Sequence, residues 1–126
     1  MSAAANASPW PTEIRLGRDR RTLTVSFDDG IGHTLPAEML RVMSPSAEVQ
    51  GHSAEQRVTV GGKRAVVITA VDPVGNYAVR LTFDDGHNTG IFTWSYLRRL
   101  GDERDRLWRQ YLDELKSKGM SREPGG

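Results

Sequence analysis

The chain of 126 residues is long enough for one small domain, and its 37% hydrophobic and 26% charged content is typical of a globular protein with a modest core. Its 17 basic and 16 acidic residues give a net charge of +1, so no long-range attraction to nucleic acid or to an anionic membrane is expected. The absence of cysteine excludes disulfides, thiol catalysis and every cysteine-based zinc or iron–sulfur site.

Both ends of the chain have the composition of tails. Residues 1–8 are small and polar, with neither the basic start nor the apolar run of a signal peptide, and residues 120–126 contain one proline and two glycines. No stretch approaches the roughly 20 apolar residues that a membrane span needs. We therefore expect disordered tails at 1–8 and 120–126, one folded domain at 9–119, and a cytoplasmic protein.

Alternation of apolar and polar residues predicts strands near Thr12–Leu16, Leu23–Phe27, Ala65–Val71 and Tyr77–Phe83. The run from Ala65 to Val71 is nearly all apolar and β-branched, which favours a central position in a sheet. Pairs such as Asp-Gly, Gly-Gly and Gly-Asn separate these runs and are typical of turns.

Three helices are predicted. The first covers residues 36–43, with a proline at its first position. The second begins at Thr93 or Ser95 and is closed by Gly101. The third covers residues 102–118, with an aspartate as its cap. Its apolar stripe consists of Leu107, Trp108, Tyr111, Leu112 and Leu115.

The chain also repeats itself. A Phe-Asp-Asp-Gly tetrad occurs at residues 27–30 and again at 83–86, an interval of 56 positions (83 − 27). Each tetrad follows a predicted strand and precedes a predicted helix that contains Leu-Arg. Hairpins often use Asp-Gly for its turn chemistry alone, but the match continues on both sides of the tetrad. The predicted fold is α+β: an antiparallel sheet from two duplicated β-hairpin–helix units, with a C-terminal helix packed on it.

Four segments taken together resemble those of a known family. They are Trp10–Ile14, Leu40-Arg41 with Ser44–Val49, Pro73–Val79, and Phe83–His87 with Thr89-Gly90 and Trp94–Leu97. Over about Pro9 to Leu115 the chain resembles the γ-butyrobetaine hydroxylase-like N-terminal domain family. The resemblance implies a domain that precedes the catalytic barrel of carnitine-pathway dioxygenases. Such domains also occur alone in bacteria, or attached to Mrp-type ATPases that carry iron–sulfur clusters.

The resemblance places the dioxygenase chemistry in the other domain. The iron triad of such enzymes needs a His-x-Asp pair and a distant histidine, yet none of His33, His52 and His87 is followed two positions later by aspartate. The sequence also lacks Gly-x-Ser-x-Gly and the spacing of a phosphate loop. We therefore expect no catalytic residue, no enzyme activity and no cofactor.

The resemblance further implies a zinc site, since eukaryotic hydroxylases of the family hold zinc with three cysteines and one histidine. These positions fall at Ser44, Ser46, about Val49, and His87. Serine is a poor zinc ligand and valine is none, so we expect the site to be lost and His87 to be a hydrogen-bonded turn residue. The alternative is a single zinc or iron ion at His87, assisted by His33 at the matching place of the first repeat or by another histidine.

The expected function is that of a non-catalytic accessory or protein-interaction domain. By family analogy, its unidentified protein partner would be an iron–sulfur carrier or a metalloenzyme. The turn at residues 84–89 and the helix after it are expected to form the outward-facing contact surface. The predicted partner-binding residues are Asp84, Asp85, His87, Arg98 and Arg99.

Two further features leave alternatives open. The arginines of residues 98–109 lie near aromatic residues, as in nucleic-acid surfaces. Acidic residues interleave with them, however, and pairing four positions apart explains the pattern and disfavours nucleic acid. Trp10, between two prolines, either fixes the first strand to the core or remains partly exposed as a partner anchor.

Overall fold

The computed structural model describes residues 10–45 and 58–124. The first repeat consists of β1 (Pro11–Leu16), β2 (Thr22–Phe27), β3 (Gly32–Pro36) and helix α1 (Ala37–Val42). The second repeat consists of β4 (Ile68–Val74), β5 (Ala78–Phe83), β6 (Ile91–Thr93) and helix α2 (Trp94–Asp102). Helix α3 (Arg104–Ser117) comes last. None of the helices in these two described ranges is long and apolar enough to cross a membrane.

Each repeat forms its own three-stranded antiparallel sheet, in the order β1-β2-β3 and β4-β5-β6. The α+β fold, the duplication and the C-terminal helix are as predicted, but the strands make two sheets instead of one. The run at residues 65–71 is not a central strand, because β4 begins at Ile68 and lies at the edge of its sheet. Its apolar character is explained by packing, since Val66 and Ile68 are buried in the core.

The middle strand of each sheet buries every second side chain in one shared core. These side chains are Leu23, Val25 and Phe27 on β2, and Val79, Leu81 and Phe83 on β5. The inner faces of α1 and α2 complete the core with Met39, Leu40, Leu97 and Leu100. Helix α3 adds a smaller cluster through Tyr111 and Leu115, which pack on Val42. The apolar stripe predicts that Leu112 also faces the core, but its side chain is 38% exposed.

The two Phe-Asp-Asp-Gly tetrads form the same hairpin turn. In the first, the Gly30 N–H donates to the Phe27 carbonyl at 3.1 Å; in the second, the Gly86 N–H donates to the Phe83 carbonyl at 3.0 Å. Both glycines have positive φ angles, 86° and 91°, a conformation that glycine adopts without strain. The tetrads therefore superpose as the duplication predicts.

The first strands of the two repeats match in their irregularities as well. A β-bulge interrupts β1 between Pro11 and Glu13, and another interrupts β4 between Ile68 and Ala70. The same irregularity at the equivalent place in both halves supports the duplication.

The helix boundaries agree with the sequence signals except at the junction of α2 and α3. Asp102, predicted to cap α3, is the last residue of α2, and Glu103 precedes α3 without a side-chain cap bond. Thr93 caps α2, because its hydroxyl accepts the Tyr96 N–H at 3.1 Å. The sequence predicts that Gly101 closes this helix, but the glycine lies inside α2, which ends at Asp102. A Cβ at Gly101 would overlap the ring of His33, so this glycine is needed for close packing and not for a cap.

The segment after α3 is held in place, in contrast to the disordered tail predicted from residue 120. The Gly62 N–H donates to the Ser121 carbonyl at 2.8 Å, and the Arg64 N–H donates to the Arg122 carbonyl at 3.0 Å. The Arg122 guanidinium also donates to both carboxylate oxygens of Glu38, on α1. These bonds order the chain through Pro124, beyond the predicted domain boundary.

Each repeat holds the turn of the other with an arginine from its helix. Arg41, on α1, donates through Nε to Asp85 in the second turn at 2.7 Å. At the matching position of α2, Arg98 contacts Asp29 in the first turn at 2.8 Å. The side chains of the Arg41–Asp85 pair are 7% and 20% exposed, against 19% and 46% for the Arg98–Asp29 pair. The former pair is therefore the less hydrated of the two.

This difference predicts unequal effects of matched substitutions. Asp85→Ala should lower the free energy of unfolding by about 2–4 kcal/mol, because it leaves the buried Arg41 charge without its main counter-charge. Asp29→Ala removes the corresponding turn residue but should cost no more than about 1 kcal/mol, since exposed pairs are screened by water. Urea denaturation of the two variants tests this, and equal losses would show that burial does not distinguish the pairs.

Candidate functional site

The structure brings His87 and Ser44 together, although 43 residues separate them in the chain. His87 comes directly after the second turn, and Ser44 lies just beyond α1 of the first repeat. The His87 Nε2 and Ser44 Oγ atoms are 3.0 Å apart, and the two residues are 6% and 0% exposed. Two positions of the implied zinc site thus lie side by side, whereas Ser46 and Val49 fall outside the described residues.

Gly90 makes this close approach possible. A Cβ at Gly90 would overlap the Ser44 hydroxyl, so any larger residue would displace the serine. At the equivalent contact in the first repeat, the glycine is on the helix instead of beside the strand: His33, on β3, lies against Gly101, on α2.

The structural alignment corrects the match between histidines. His33 pairs with Val25 across the first sheet, and Gly90 occupies the same place beside Leu81 in the second. The counterpart of His87 is therefore Ile31, not His33. The second repeat has one more residue between its turn and its third strand, so a comparison by turn position alone misaligns the third strands by one residue.

A charged cluster adjoins the corner formed by His87, Ser44 and Gly90. The Asp85 carboxylate accepts from Arg41 and lies 2.6 Å from the Lys63 ammonium. Its other oxygen accepts the His87 N–H at 3.0 Å. Burial raises the pKa of Asp85, but the hydrogen bonds from Lys63, the His87 N–H and Arg41 outweigh it and lower the pKa from 3.8 to about 2. The carboxylate is thus ionised at neutral pH and engaged inside the domain.

The other predicted partner-binding residues lie in different surroundings. The Asp84 carboxylate accepts the Val67 N–H at 3.1 Å, which ties the second turn to the chain before β4. Arg98 lies between Asp29 and Asp102, with its guanidinium 5.3 Å from the centre of the Phe27 ring.

Arg99 has a largely exposed side chain, at 56%, and it pairs with Glu103. The predicted outward-facing cluster is therefore corrected, because His87 is buried and both Asp85 and Arg98 are engaged between the repeats. Whether these residues contribute to partner binding stays a prediction.

The described residues do not fit the implied zinc site. The donors brought to the corner are one imidazole and one serine hydroxyl, and zinc sites in proteins use thiolate, imidazole or carboxylate ligands. His33 lies instead against Asp102, with 2.8 Å between Nε2 and Oδ1. Within residues 10–45 and 58–124, no group of three histidines or acidic residues could hold a metal ion. His52 falls outside the described residues.

An exposed aromatic groove lies elsewhere on the surface. It is lined by Trp10 and the next residues of β1, together with Asn76 and Trp94. Trp10 is 50% exposed, and Tyr77, next to Asn76 in the chain, is 52% exposed. Of the two alternatives for Trp10, partial exposure is the one the structure shows. The two flanking prolines are the sequence signal for Trp10, but the contribution of Trp94 depends on the fold.

Comparisons with known proteins place the chain among close structural relatives. A family model described as gamma-butyrobetaine hydroxylase-like, N-terminal, matches residues 14–98. Two solution NMR structures are 47% and 48% identical to the chain, with TM-scores of 0.82 and 0.81. The first match covers 95% of this chain and 94% of the other, and the second covers 94% and 89%.

A crystal structure from Acidithiobacillus ferrooxidans is also similar to the chain. It shows a protein of unknown function that belongs to the DUF971 family. It is 47% identical, has a TM-score of 0.60, and the match covers 72% of this chain and 91% of the other. No curated protein matches the sequence.

The donor set predicts the metal content of the protein. We expect the purified protein to carry no stoichiometric zinc or iron, because the corner offers a serine where a strong ligand is needed. Elemental analysis of protein purified without chelator measures this. About one metal ion per chain, lost in the His87→Ala variant, would contradict the expectation and support the alternative site at His87.

The Asp85 pKa predicts how stability depends on pH. A carboxylate whose pKa is lower in the folded state contributes stability that is present above its unfolded pKa and is lost as the pH falls through the folded value. The free energy of unfolding should therefore fall from about pH 4 to about pH 2, and less steeply in Asp85→Asn. Asp113→Asn, at an exposed position of α3, serves as the control. Urea denaturation at several pH values that gave equal slopes for all three proteins would contradict this.

Proposed function

This chain belongs to the gamma-butyrobetaine hydroxylase-like, N-terminal family, and from this premise we propose that it is a non-catalytic protein-interaction domain. Its partner is an iron–sulfur carrier or another metal-dependent protein. The metal-dependent partner is inferred from the resemblance to domains that accompany dioxygenases and iron–sulfur ATPases. The interaction role rests on the side chains that this chain leaves exposed on its surface.

The polar residues of the second turn support a non-catalytic role. General acid–base catalysis requires a carboxylate or imidazole that can reach the proton of a substrate. Here the Asp85 carboxylate is held by Arg41 and Lys63, and the His87 ring is buried against Ser44. These groups are engaged in contacts inside the domain.

The observation that carries the interaction role is the exposure of two large aromatic side chains. Trp10 and Tyr77 leave about half of their surface exposed to water, whereas many smaller apolar side chains of the domain are fully buried in its core. Tryptophan and tyrosine contribute strongly to protein–protein contacts, because they bury a large apolar area while ordering few rotatable bonds. Trp10 lines the groove and Tyr77 follows Asn76, another lining residue, so a partner that contacts this region meets a shaped surface.

Affinity capture from the native cell tests this function. The tagged wild-type domain should retain a metal-dependent protein that the Trp10→Ala/Tyr77→Ala double variant no longer retains, because the aromatic anchors are gone. Leu112→Ala truncates another exposed apolar residue, on α3, and should capture the partner as the wild type does. Each substitution should change the free energy of unfolding by no more than about 1 kcal/mol, since the positions are half-exposed.

Two outcomes would contradict the proposal. If the wild-type domain retains no protein under these conditions, the interaction role is wrong. If it retains only proteins without a metal centre, the link to metal-dependent partners is wrong.

A further inference from the structure

The duplication gives several contacts of one repeat a counterpart in the other, and one corner between the repeats is closed by an arginine. Where the β1–β2 turn meets β4, the Ile68 N–H donates to the Arg20 carbonyl at 2.8 Å. The Arg20 guanidinium then donates to the Thr69 carbonyl at 3.2 Å. One backbone bond and one guanidinium thus join the first repeat to the start of β4.

The counterpart corner lies where the β4–β5 turn meets β1. Equivalent helix-entry bonds fix the alignment, since the Ala37 N–H donates to the Arg21 carbonyl and the Trp94 N–H donates to the Tyr77 carbonyl. Counting back one residue from these carbonyls places Asn76 at the position of Arg20, although Arg20 has a positive φ of 63° and Asn76 does not. By the matching bulges of β1 and β4, Ile68 and Thr69 correspond to Pro11 and Thr12.

Neither of the two closing bonds is made at this second corner. Pro11 has no N–H to donate, and the Asn76 carbonyl accepts from the Trp94 indole at 2.9 Å instead. Asn76 is also much shorter than arginine. Among the residues that the structure describes, no side chain donates to the Thr12 carbonyl, the counterpart of the carbonyl that Arg20 binds.

The aromatic groove occupies this corner, and its lining has the chemistry that recognises a guanidinium. Trp10 and Trp94 provide aromatic rings, which attract cations over their faces. Glu13 provides a carboxylate, and its side chain is 51% exposed with only a 3.8 Å contact to Arg15. Arginine suits such a site better than lysine, because its planar group stacks on rings and donates several hydrogen bonds at once.

We propose that this groove binds an arginine side chain of a partner protein, which takes at Thr12 the place that Arg20 takes at Thr69. The proposal rests on the interaction function proposed above and names the chemical group that the partner presents. The model for this contact is the hydrogen bond from Arg20 to the Thr69 carbonyl at the other corner of the domain.

The three tryptophans allow a direct test with a capped Gly-Arg-Gly tripeptide. In nitrogen-15 NMR spectra of the wild-type domain, millimolar tripeptide should shift the indole N–H signals of Trp10 and Trp94. The signal of Trp108 should stay in place, because that ring lies on α3 beside the domain's own Arg122. A tripeptide with citrulline, which has nearly the same shape without the charge, should cause no such shifts. Equal shifts with citrulline, or shifts at Trp108 alone, would overturn the proposal.

Two variants sharpen the result. Glu13→Gln should weaken the response to Gly-Arg-Gly about threefold or more, since it removes the carboxylate. Asn76→Arg adds a guanidinium to the lining of the groove, so it should compete with the tripeptide and weaken the response. Asn88→Arg adds the same charge at an exposed asparagine outside the groove and should leave the response unchanged. An undiminished response in Asn76→Arg would overturn the proposal.

Failure of the groove can be distinguished from failure of the interaction function. If a captured partner binds wild type and Asn76→Arg alike, and the tripeptide shifts neither tryptophan, the arginine site is wrong and the interaction function stands. If the tripeptide gives the expected shifts while no protein is captured from cells, the guanidinium site stands and the interaction function is wrong.

Discussion

The exchange of arginines between the two repeats is the contact on which the rest of the structure depends. Each repeat folds its turn locally, through a glycine with positive φ, but neither turn carries the counter-charge for its second aspartate. That charge comes from the helix of the other repeat, as Arg41 for Asp85 and Arg98 for Asp29. Without these contacts Asp85 would keep Lys63 and Arg98 would keep Asp102, but the buried Arg41 would lose its counter-charge, and a buried unpaired charge is strongly destabilising. The paired charges therefore favour the two halves as one folding unit around a shared core.

The same exchange explains the surroundings of His87. Arg41 ties the end of α1 to the second turn, where Ser44 lies against the imidazole and the missing side chain of Gly90 leaves space for the serine hydroxyl. The pair forms a buried polar contact, since a serine hydroxyl and an imidazole nitrogen can share a hydrogen bond.

Local sequence patterns predict much of the fold, because the turns, the strands, the three helices and the duplication depend on residues close together in the chain. The features that they do not predict depend on contacts between the repeats. An Asp-Gly turn is normally at the surface, which favours an outward-facing His87, but its burial comes from Ser44, 43 residues away. Gly101 is a similar case. A glycine at this place in the sequence indicates a helix end, but it is required here because a Cβ would overlap the ring of His33.

The positions at which the repeats differ are the most informative for function, because packing alone would allow both repeats to have the same residues there. Three differences meet at one groove. Proline replaces the isoleucine that donates a backbone bond, asparagine replaces the arginine that reaches a carbonyl, and tryptophan replaces the buried alanine at the start of the helix. The first two remove bonds and the third adds a half-covered ring, so together they weaken the internal closure of the corner. The corner that these differences leave open is the groove at which we propose that an arginine of a partner binds.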